Sequence, residues 1–476
     1  MGTQGQIEFE PLTDREREII GLIAAGLSNQ QIADQLFLTL GTVKWYNKQT
    51  FQKLDVHSRT QAVLRARELG FLGRAIPAPQ PNFPAQHTVF IGRESELAEI
   101  QARLCDPACR LLTLVGPGGI GKTRLAMEAA RRQIDAFPDG TIFMSFAPID
   151  TAGLISQTMA EGLGLTHSSQ HDPQDQVIRY LRAKTLLLVI DNFEHLLSGV
   201  DLLAKILGGC MKVKMLVTSR ERLHLRQEWV FDVPGLNFPV VQSAAQEPLD
   251  MAEYEAGQLF LQTAVRVQSD FAPDQSDQLH IARICQSLEG MPLGIELAAS
   301  WVRLLPCAEI AQEITRGLDI LTTSWRDIPE RHRSLRAVLD HSWQLLEHDE
   351  RDAFRKLTVF KGNFRRDAAQ AVAGVSLVML LALMDKSFLQ PARDDRFAIH
   401  ELLKQYGSAK LKANPEIWAA ARLHHCRYYA SFLNQLMRSP QAYVHLREVE
   451  EVLDELKAAW HFAVENIHLA EIQLLA

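Results

Sequence analysis

The sequence predicts a multidomain chain: all-α at its N-terminus, α/β with a parallel sheet through its middle, then helical, with one short hairpin among the later helices. Three observations predict this. The chain has 476 residues, 47% hydrophobic and 22% charged, enough for about three or four domains that each bury a core. Residues 12–70 carry helix-starting signals at short intervals. Beyond residue 110, short apolar runs that read as buried strands alternate with helical patterns.

Composition excludes several classes. The apolar fraction is too high for a disordered chain. Fifty Lys and Arg against 57 Asp and Glu leave a formal charge of −7, so the chain is not coated in basic charge, although nucleic-acid binding needs only a local basic stripe. The six cysteines, Cys105, Cys109, Cys210, Cys285, Cys307 and Cys426, are scattered without zinc or disulfide spacing and read as reduced thiols. The longest apolar run, Val375 to Met384, is about half of what a bilayer span needs. The N-terminus lacks a basic-then-apolar signal pattern. The expectation is a soluble, cytoplasmic protein with no membrane partner.

Residues 12–70 read as four short helices. Thr13-Asp14-Arg15-Glu16 is a capping box, in which a hydroxyl and a Glu three residues later satisfy free amides reciprocally. Ser28-Asn29-Gln30-Gln31 and Ser58-Arg59-Thr60-Gln61 repeat it. Gly26 and Gly70 read as helix stops, and a third helix runs from near Thr39 or Gly41 to Leu54. The short join between the second and third helices predicts a helix-turn-helix, whose second helix enters the major groove. Gly41 to Leu54 carries Lys44, Lys48 and Lys53, one Asn, two Gln and no acid. Lys44 and Lys48 suit phosphates, Asn47 and Gln49 suit base edges, and Thr42 opens the helix. Charge alone leaves a solvated helix face about equally good. The wording decides: Leu12-Thr13-x-Arg15-Glu16, Gly26-Leu27-Ser28-Asn29-x-x-Ile32-Ala33, Thr42-Val43-Lys44 and Lys53-Leu54 resemble the LuxR/GerE-type DNA-binding domain. Tyr46 stands where many members carry His, which changes a phosphate or base contact. The resemblance implies binding to double-stranded DNA.

Residues 74–86, with Pro77, Pro79, Pro81 and Pro84, read as a semi-rigid tether in which no core forms. Leu111 to Val115 then reads as a buried strand running into Gly116-Pro117-Gly118-Gly119-Ile120-Gly121-Lys122-Thr123, a match to G-x-x-x-x-G-K-[ST]. Backbone amides around Gly116, Gly118, Gly119 and Gly121 curl about phosphates, Lys122 reaches the outer phosphates, and the Thr123 hydroxyl holds Mg²⁺. A chance match has odds of roughly one in fifty at ordinary residue frequencies. Thr185 to Asp191 supplies the metal-side carboxylate at a second strand end, with Thr123 and Asp191 as the metal pair. Asn192 follows where strongly catalytic ATPases carry a second acid, and Glu194 is the nearest substitute. Slow hydrolysis, a switch rather than a motor, is the expectation. A third strand, Lys214 to Val217, ends in Thr218-Ser219-Arg220, which places Arg220 to report a γ-phosphate.

Phe90-Ile91-Gly92-Arg93-Glu94, the P-loop, Asp191-Asn192-Phe193-Glu194-His195, Thr218-Ser219-Arg220, Gly290-Met291-Pro292-Leu293 and Ile399-His400-Glu401-Leu402-Leu403 together resemble the NB-ARC module of the STAND-class signal-transduction ATPases. The resemblance implies that Ile91 and Arg93 frame the adenine and ribose of ATP or ADP, that Pro292 closes over the base, and that His400 contacts the β-phosphate of ADP. Ile and Glu replace the Met and Asp that flank that histidine in the family.

The expected domains are a helix-turn-helix domain over 1–73, a linker over 74–87, a P-loop nucleotide-binding domain over 88–245, a helical domain over 246–328, a winged helix over 329–412, and the start of a helical-repeat sensor over 413–476. The winged helix is read from strands at Ser387–Gln390 and Arg396–Ile399 around a turn at Asp394-Asp395. Trp460 and Phe462 are read as core of the last helices, which end without a cap, as in a truncated or minimal sensor. The function expected is an ATP/ADP-switched transcription regulator that opens or self-associates when an inducer acts at its C-terminal region. The alternatives are an ATP-switched protein scaffold, defence-like, and a DNA-acting P-loop ATPase.

Overall fold

A computed structural model describes residues 12–24, 27–36, 38–68, 82–86, 88–165, 172–241, 249–323, 325, 333–438 and 446–475. Gly26, Gly70, Pro77, Pro79 and Pro81 lie outside them. The chain divides into two compact units, Met1–Gln80 and Pro81–Ala476.

The first unit is a bundle of α1 (Asp14–Ala24), α2 (Asn29–Leu36), α3 (Leu40–Lys53) and α4 (Arg59–Glu68). Its core is Ile19, Ile20, Ile23, Ile32, Val43, Leu54 and their neighbours. The capping boxes form by hydrogen bonding. The Thr13 amide donates to Glu16 Oε2 at 2.8 Å and the Ser28 amide to Gln31 Oε1 at 2.8 Å. Thr39 caps α3, its Oγ1 accepting from the Thr42 amide. In the third box Gln61 reaches one residue further back, to the His57 amide at 3.2 Å.

The second unit opens with α5 (Glu94–Cys105) and a sheet of β1 (Leu111–Val115), β2 (Thr141–Ser145), β3 (Leu187–Asp191), β4 (Lys214–Ser219) and β5 (Glu228–Asp232). Their order is β2-β3-β4-β1-β5 and every pairing is parallel. Helices α6 (Lys122–Arg131), α7 (Ile155–Gly162), α8 (Pro173–Leu181) and α9 (Asp201–Gly209) are the crossovers. The strands β1 and β3 are buried throughout because helices cover both faces. This order puts the C-terminal ends of β1, β3 and β4 side by side, where open parallel sheets place ligands.

Helices α10 (Glu255–Val267), α11 (Gln275–Ser287), α12 (Pro292–Ala299) and α13 (Cys307–Arg316) follow. The next group is α14 (Leu335–Gln344), α15 (His348–Leu357), β6 (Phe364–Arg365), α16 (Arg366–Ala373), α17 (Leu377–Asp385), β7 (Gln390–Ala392), β8 (Arg396–Ala398) and α18 (Glu401–Lys412). The three strands form an antiparallel sheet ordered β6-β8-β7, a winged-helix arrangement. The last helices are α19 (Pro415–Met437), α20 (Leu446–Glu451), α21 (Leu453–Glu465) and α22 (Leu469–Leu475). One hydrophobic core runs without a break from the sheet through these helices. Among the described residues no single helix is long and apolar enough to cross a membrane.

Three expectations need correction. The described end of the expected tether, Asn82–Gln86, is fastened rather than free: Phe83 packs against the main core and Asn82 bonds the Phe143 backbone. The hairpin strand begins at Gln390, not Ser387, because Ser387 has φ +60° and turns its hydroxyl onto the Arg220 carbonyl at 2.6 Å. Trp460 is 38% exposed while Phe462 is 7% exposed, since the buried stripe of α21 is Leu456, Ala459, Phe462 and Ala463.

Candidate nucleotide cleft and recognition helix

A cleft of about 360 Å³ opens at the C-terminal ends of β1, β3 and β4. Its walls include Gly118, Gly119, Gly121, Lys122, Thr123, Asp191, Glu194, Arg220 and Pro292. The turn from β1 into α6 needs glycine at Gly119 and Gly121, whose φ values are +86° and +92°. Lys122 Nζ donates to the Gly116 and Pro117 carbonyls at 2.7 and 3.1 Å. Burial lowers its pKa to about 8, although Glu194 pulls the other way. Asp191 Oδ1 accepts from Thr123 Oγ1 at 2.6 Å and from Thr218 Oγ1 at 2.7 Å. Burial raises the Asp191 pKa. Two hard oxygen donors thus meet beside the glycine loop, the donor set Mg²⁺ prefers.

Arg220 is buried at the same wall. Its Nε bonds Glu194 Oε1 at 3.0 Å, and its Nη1 donates to the Val338 carbonyl at 3.0 Å and to Ser342 Oγ, both on α14. A Cβ at Gly118 would come within 2.5 Å of Val338 Cγ1 and 3.1 Å of the Arg220 guanidinium. The winged-helix group therefore rests directly on the phosphate loop and on the expected γ-phosphate reporter.

A smaller apolar slot adjoins the cleft, lined by Val89, Phe90, Ile91, Arg93, Leu236, Leu259 and Pro292 among others. Gly121, Arg124 and Pro292 belong to both. Pro292 sits in the first turn of α12, where its missing amide proton costs nothing. Arg93 is buried. Its Nη2 bonds the Ile120 and Pro234 carbonyls at 2.7 and 3.1 Å, and its Nη1 is buried with no hydrogen-bond partner among the described residues. Glu296 and Arg124, 3.9 Å apart, also face the cleft and were not singled out from sequence.

The cleft does not include His400. That residue caps α18, its Nδ1 accepting from the Leu402 amide at 3.3 Å, and its Nε2 lies 3.6 Å from Glu289 Oε2. Burial lowers its pKa to about 4, so the imidazole is neutral at physiological pH. His400 thus joins α18 to the turn before α12, and the expected contact with a β-phosphate has no counterpart in the cleft lining.

On α3 the five candidate residues split. Lys44 and Lys48 are exposed, and Gln49 is partly exposed. Thr42 sits in the first turn, its hydroxyl 2.8 Å from that of Thr39. Asn47 is a correction: it is 8% exposed and donates to Asn29 Oδ1 at 2.9 Å, so it braces α2 instead of facing outward. Lys53 is likewise spent on Glu16, at 3.0 Å. The residue that sequence reasoning missed is Trp45, 56% exposed. Helical phase was the available signal, because Trp45 shares a face with Gly41, Lys48 and Gln52 while Val43, Asn47 and Thr50 face the core.

Comparison with known proteins finds a family model over each of the two regions. Residues 10–66 match the model for bacterial regulatory proteins of the luxR family, and residues 93–223 match the NB-ARC domain. A protein of Mycobacterium tuberculosis, named a candidate HTH-type transcriptional regulator, is 33% identical over 383 residues, 77% of this chain and 41% of its own length. An uncharacterized protein of Mycobacterium bovis is 30% identical over 364 residues, 74% of this chain and 88% of its own. The regulatory protein AfsR of Streptomyces griseus is 27% identical over 436 residues, 84% of this chain and 41% of its own. The chain thus spans about two fifths of the length of the named regulators it matches. It belongs to the same family as that Mycobacterium bovis protein, and it carries a luxR-family helix-turn-helix domain followed by an NB-ARC domain.

Proposed function

We propose that this chain is a transcription regulator switched between ATP and ADP, binding double-stranded DNA through α3 and changing its domain arrangement and self-association with the nucleotide held. The observation that carries the reading is Arg220. One guanidinium lines the nucleotide cleft and also holds the Val338 carbonyl and the Ser342 hydroxyl of α14. A γ-phosphate competes for the same donors, and every hydrogen bond it takes is one that α14 loses. ADP leaves Arg220 on α14; ATP draws it off and loosens the winged-helix group. Lys122 with the loop amides carries the phosphates, and Thr123 with Asp191 holds Mg²⁺. Hydrolysis is slow, because Glu194, the acid nearest to the water-polarising position, is already bound to Arg220. An inducer acting at the C-terminal helices biases the same equilibrium. The protein works in the cytoplasm, and self-association of opened copies raises the local concentration of DNA-binding units.

The test is DNA affinity and assembly state, measured by anisotropy and light scattering with ADP and with a non-hydrolysable ATP analogue. The expected result is larger assemblies and tighter DNA binding with the analogue. Ser342→Ala should raise the ratio of analogue to ADP affinity, because Arg220 is then held less firmly by α14. Identical behaviour in both nucleotides would overturn the switch, and no DNA binding at low salt would favour a protein scaffold.

A further inference from the structure

The chain that leads into the nucleotide-binding domain is fastened at three points. Asn82 grips edge strand β2, its Nδ2 donating to the Phe143 carbonyl at 2.8 Å and its Oδ1 accepting the Phe143 amide at 2.7 Å. The side-chain amide takes the place of a neighbouring strand and closes that stretch of edge. Next, Arg131 lies 5.4 Å over the Phe83 ring and donates to the Pro84 carbonyl at 3.3 Å. Last, Arg124 Nη2 donates to the Thr88 and Val89 carbonyls at 3.1 and 3.0 Å. Arg124 and Arg131 are two turns apart on one face of α6, the helix that begins at Lys122. The fastened segment then runs on into Phe90 and Ile91, which wall the apolar slot beside the cleft.

We propose that residues 82–86 and 88–91 act as a strap, in which Arg124 is the positioning residue that holds the base-facing wall of the nucleotide site and Asn82 fastens the other end to β2. The inference rests on reading the cleft as a nucleotide site. A purine base in the slot presses on Val89 to Ile91 and pins the strap from its far end.

Hydrogen exchange across residues 82–91, and calorimetry with ADP and with pyrophosphate, test this on the full chain. ADP should slow exchange in the strap, and pyrophosphate, which fills only the phosphate loop, should not. Arg124→Ala should weaken ADP roughly tenfold, about what one or two ordinary hydrogen bonds are worth, and leave pyrophosphate within about twofold. The ADP-dependent protection should vanish with it, and Arg124→Lys should restore part of it. Asn82→Ala, at the other end of the strap, should speed exchange at Phe143 and residues 82–84 with or without ADP. Equal losses for ADP and pyrophosphate would make Arg124 a phosphate ligand and overturn the proposal, as would unchanged exchange in both variants. A wild-type chain that binds pyrophosphate but gains no affinity from the adenosine would overturn the strap alone; one that binds neither would overturn the nucleotide reading beneath it.

Discussion

The cleft at the end of the parallel sheet and the outer face of α3 hold their polar groups in opposite ways. In the cleft every group is tied to another: Lys122 to two carbonyls, Asp191 to two hydroxyls, Arg220 to Glu194 and to α14. On α3, Lys44 and Lys48 stand exposed. A charge held in a low-dielectric network interacts strongly and with few partners, whereas charges in water act weakly, additively and under salt screening. Damage to the cleft should therefore be nearly all-or-none, and damage to α3 should be graded.

The largest effect is expected at Lys122. Lys122→Ala should abolish tight ADP binding without unfolding the sheet, and with it the rise in melting temperature that bound ligand confers by mass action. Calorimetry that finds unchanged ADP affinity would remove the P-loop from the argument. The pH dependence sharpens the same point. Burial brings the Lys122 pKa to about 8, and bound phosphate, by favouring the charged amine, raises it. Binding above about pH 8 therefore takes up a proton, and ADP affinity should fall as pH rises through that value. Lys122→Arg, charged throughout, should remove the dependence if it binds.

The α3 surface should answer by degrees. Replacing Lys44 and Lys48 with Ala should weaken DNA binding across sequences and lower the log–log salt slope by roughly one unit per lysine. Trp45→Ala should leave the slope alone and alter which sequences bind, because an exposed indole offers apolar contact to thymine methyl groups rather than charge. Equal DNA affinity of wild type and the double lysine variant at several salt concentrations would mean that α3 is not the DNA-facing helix.

The same contrast explains what could be read from residue order. The phosphate loop was legible because its chemistry lies in the backbone, and the spacing of Gly116, Gly119, Gly121 and Lys122 already dictates where the amides point. The central strands β1, β3 and β4 were legible because burial on both faces leaves them mostly apolar, as in Leu187 to Ile190 and Met215 to Val217. The edge strands β2 and β5 escaped notice, since each has only one neighbour in the sheet and carries polar or exposed residues. Strand β6 escaped because two residues carry no pattern. Asn47 was misplaced for a different reason. Amide side chains serve base edges and helix braces equally well, and only the rotation of α3 about its axis, fixed by Val43, Thr50 and Leu54 in the core, chooses between them. Neither Asn82 on β2 nor Arg220 on α14 has a local signature, because partners 61 and 118 residues away meet only in the fold.

Asn47 sets an intermediate test between the two regions. It is a buried side chain on the exposed helix, so its loss should behave like damage to a core. Asn47→Ala removes one of two donors to Asn29 Oδ1, the other being Arg59 Nη1 at 3.3 Å, and should cost about 0.5–1.5 kcal/mol of stability in the first unit. The readout is faster amide exchange in α2 and α3, with the same sequence preference at temperatures where the unit remains folded. A changed sequence preference in a fully folded variant would return Asn47 to the DNA-facing surface.

The smallest effect at neutral pH is expected at His400, which lines neither the cleft nor the adjoining slot. His400→Asn keeps a side-chain acceptor for the Leu402 amide, so α18 retains its cap. ADP and ATP affinities should both stay within about twofold of wild type, because the imidazole faces Glu289 and not the phosphate loop. The consequence should appear in acid. The folded-state pKa is about 4 against an ordinary 6.5, so the unfolded chain binds more protons between those values and stability is lost as pH falls through that window. At pH 4 the loss is at most about 3 kcal/mol. Burial raises the pKa of Glu289, which acts in the opposite sense and returns part of it. The Asn variant has no such group and should unfold at lower pH than wild type. A variant that instead loses ADP affinity while keeping ATP affinity would show that His400 reaches the β-phosphate, and the separation between the cleft and the α18 contact would no longer hold.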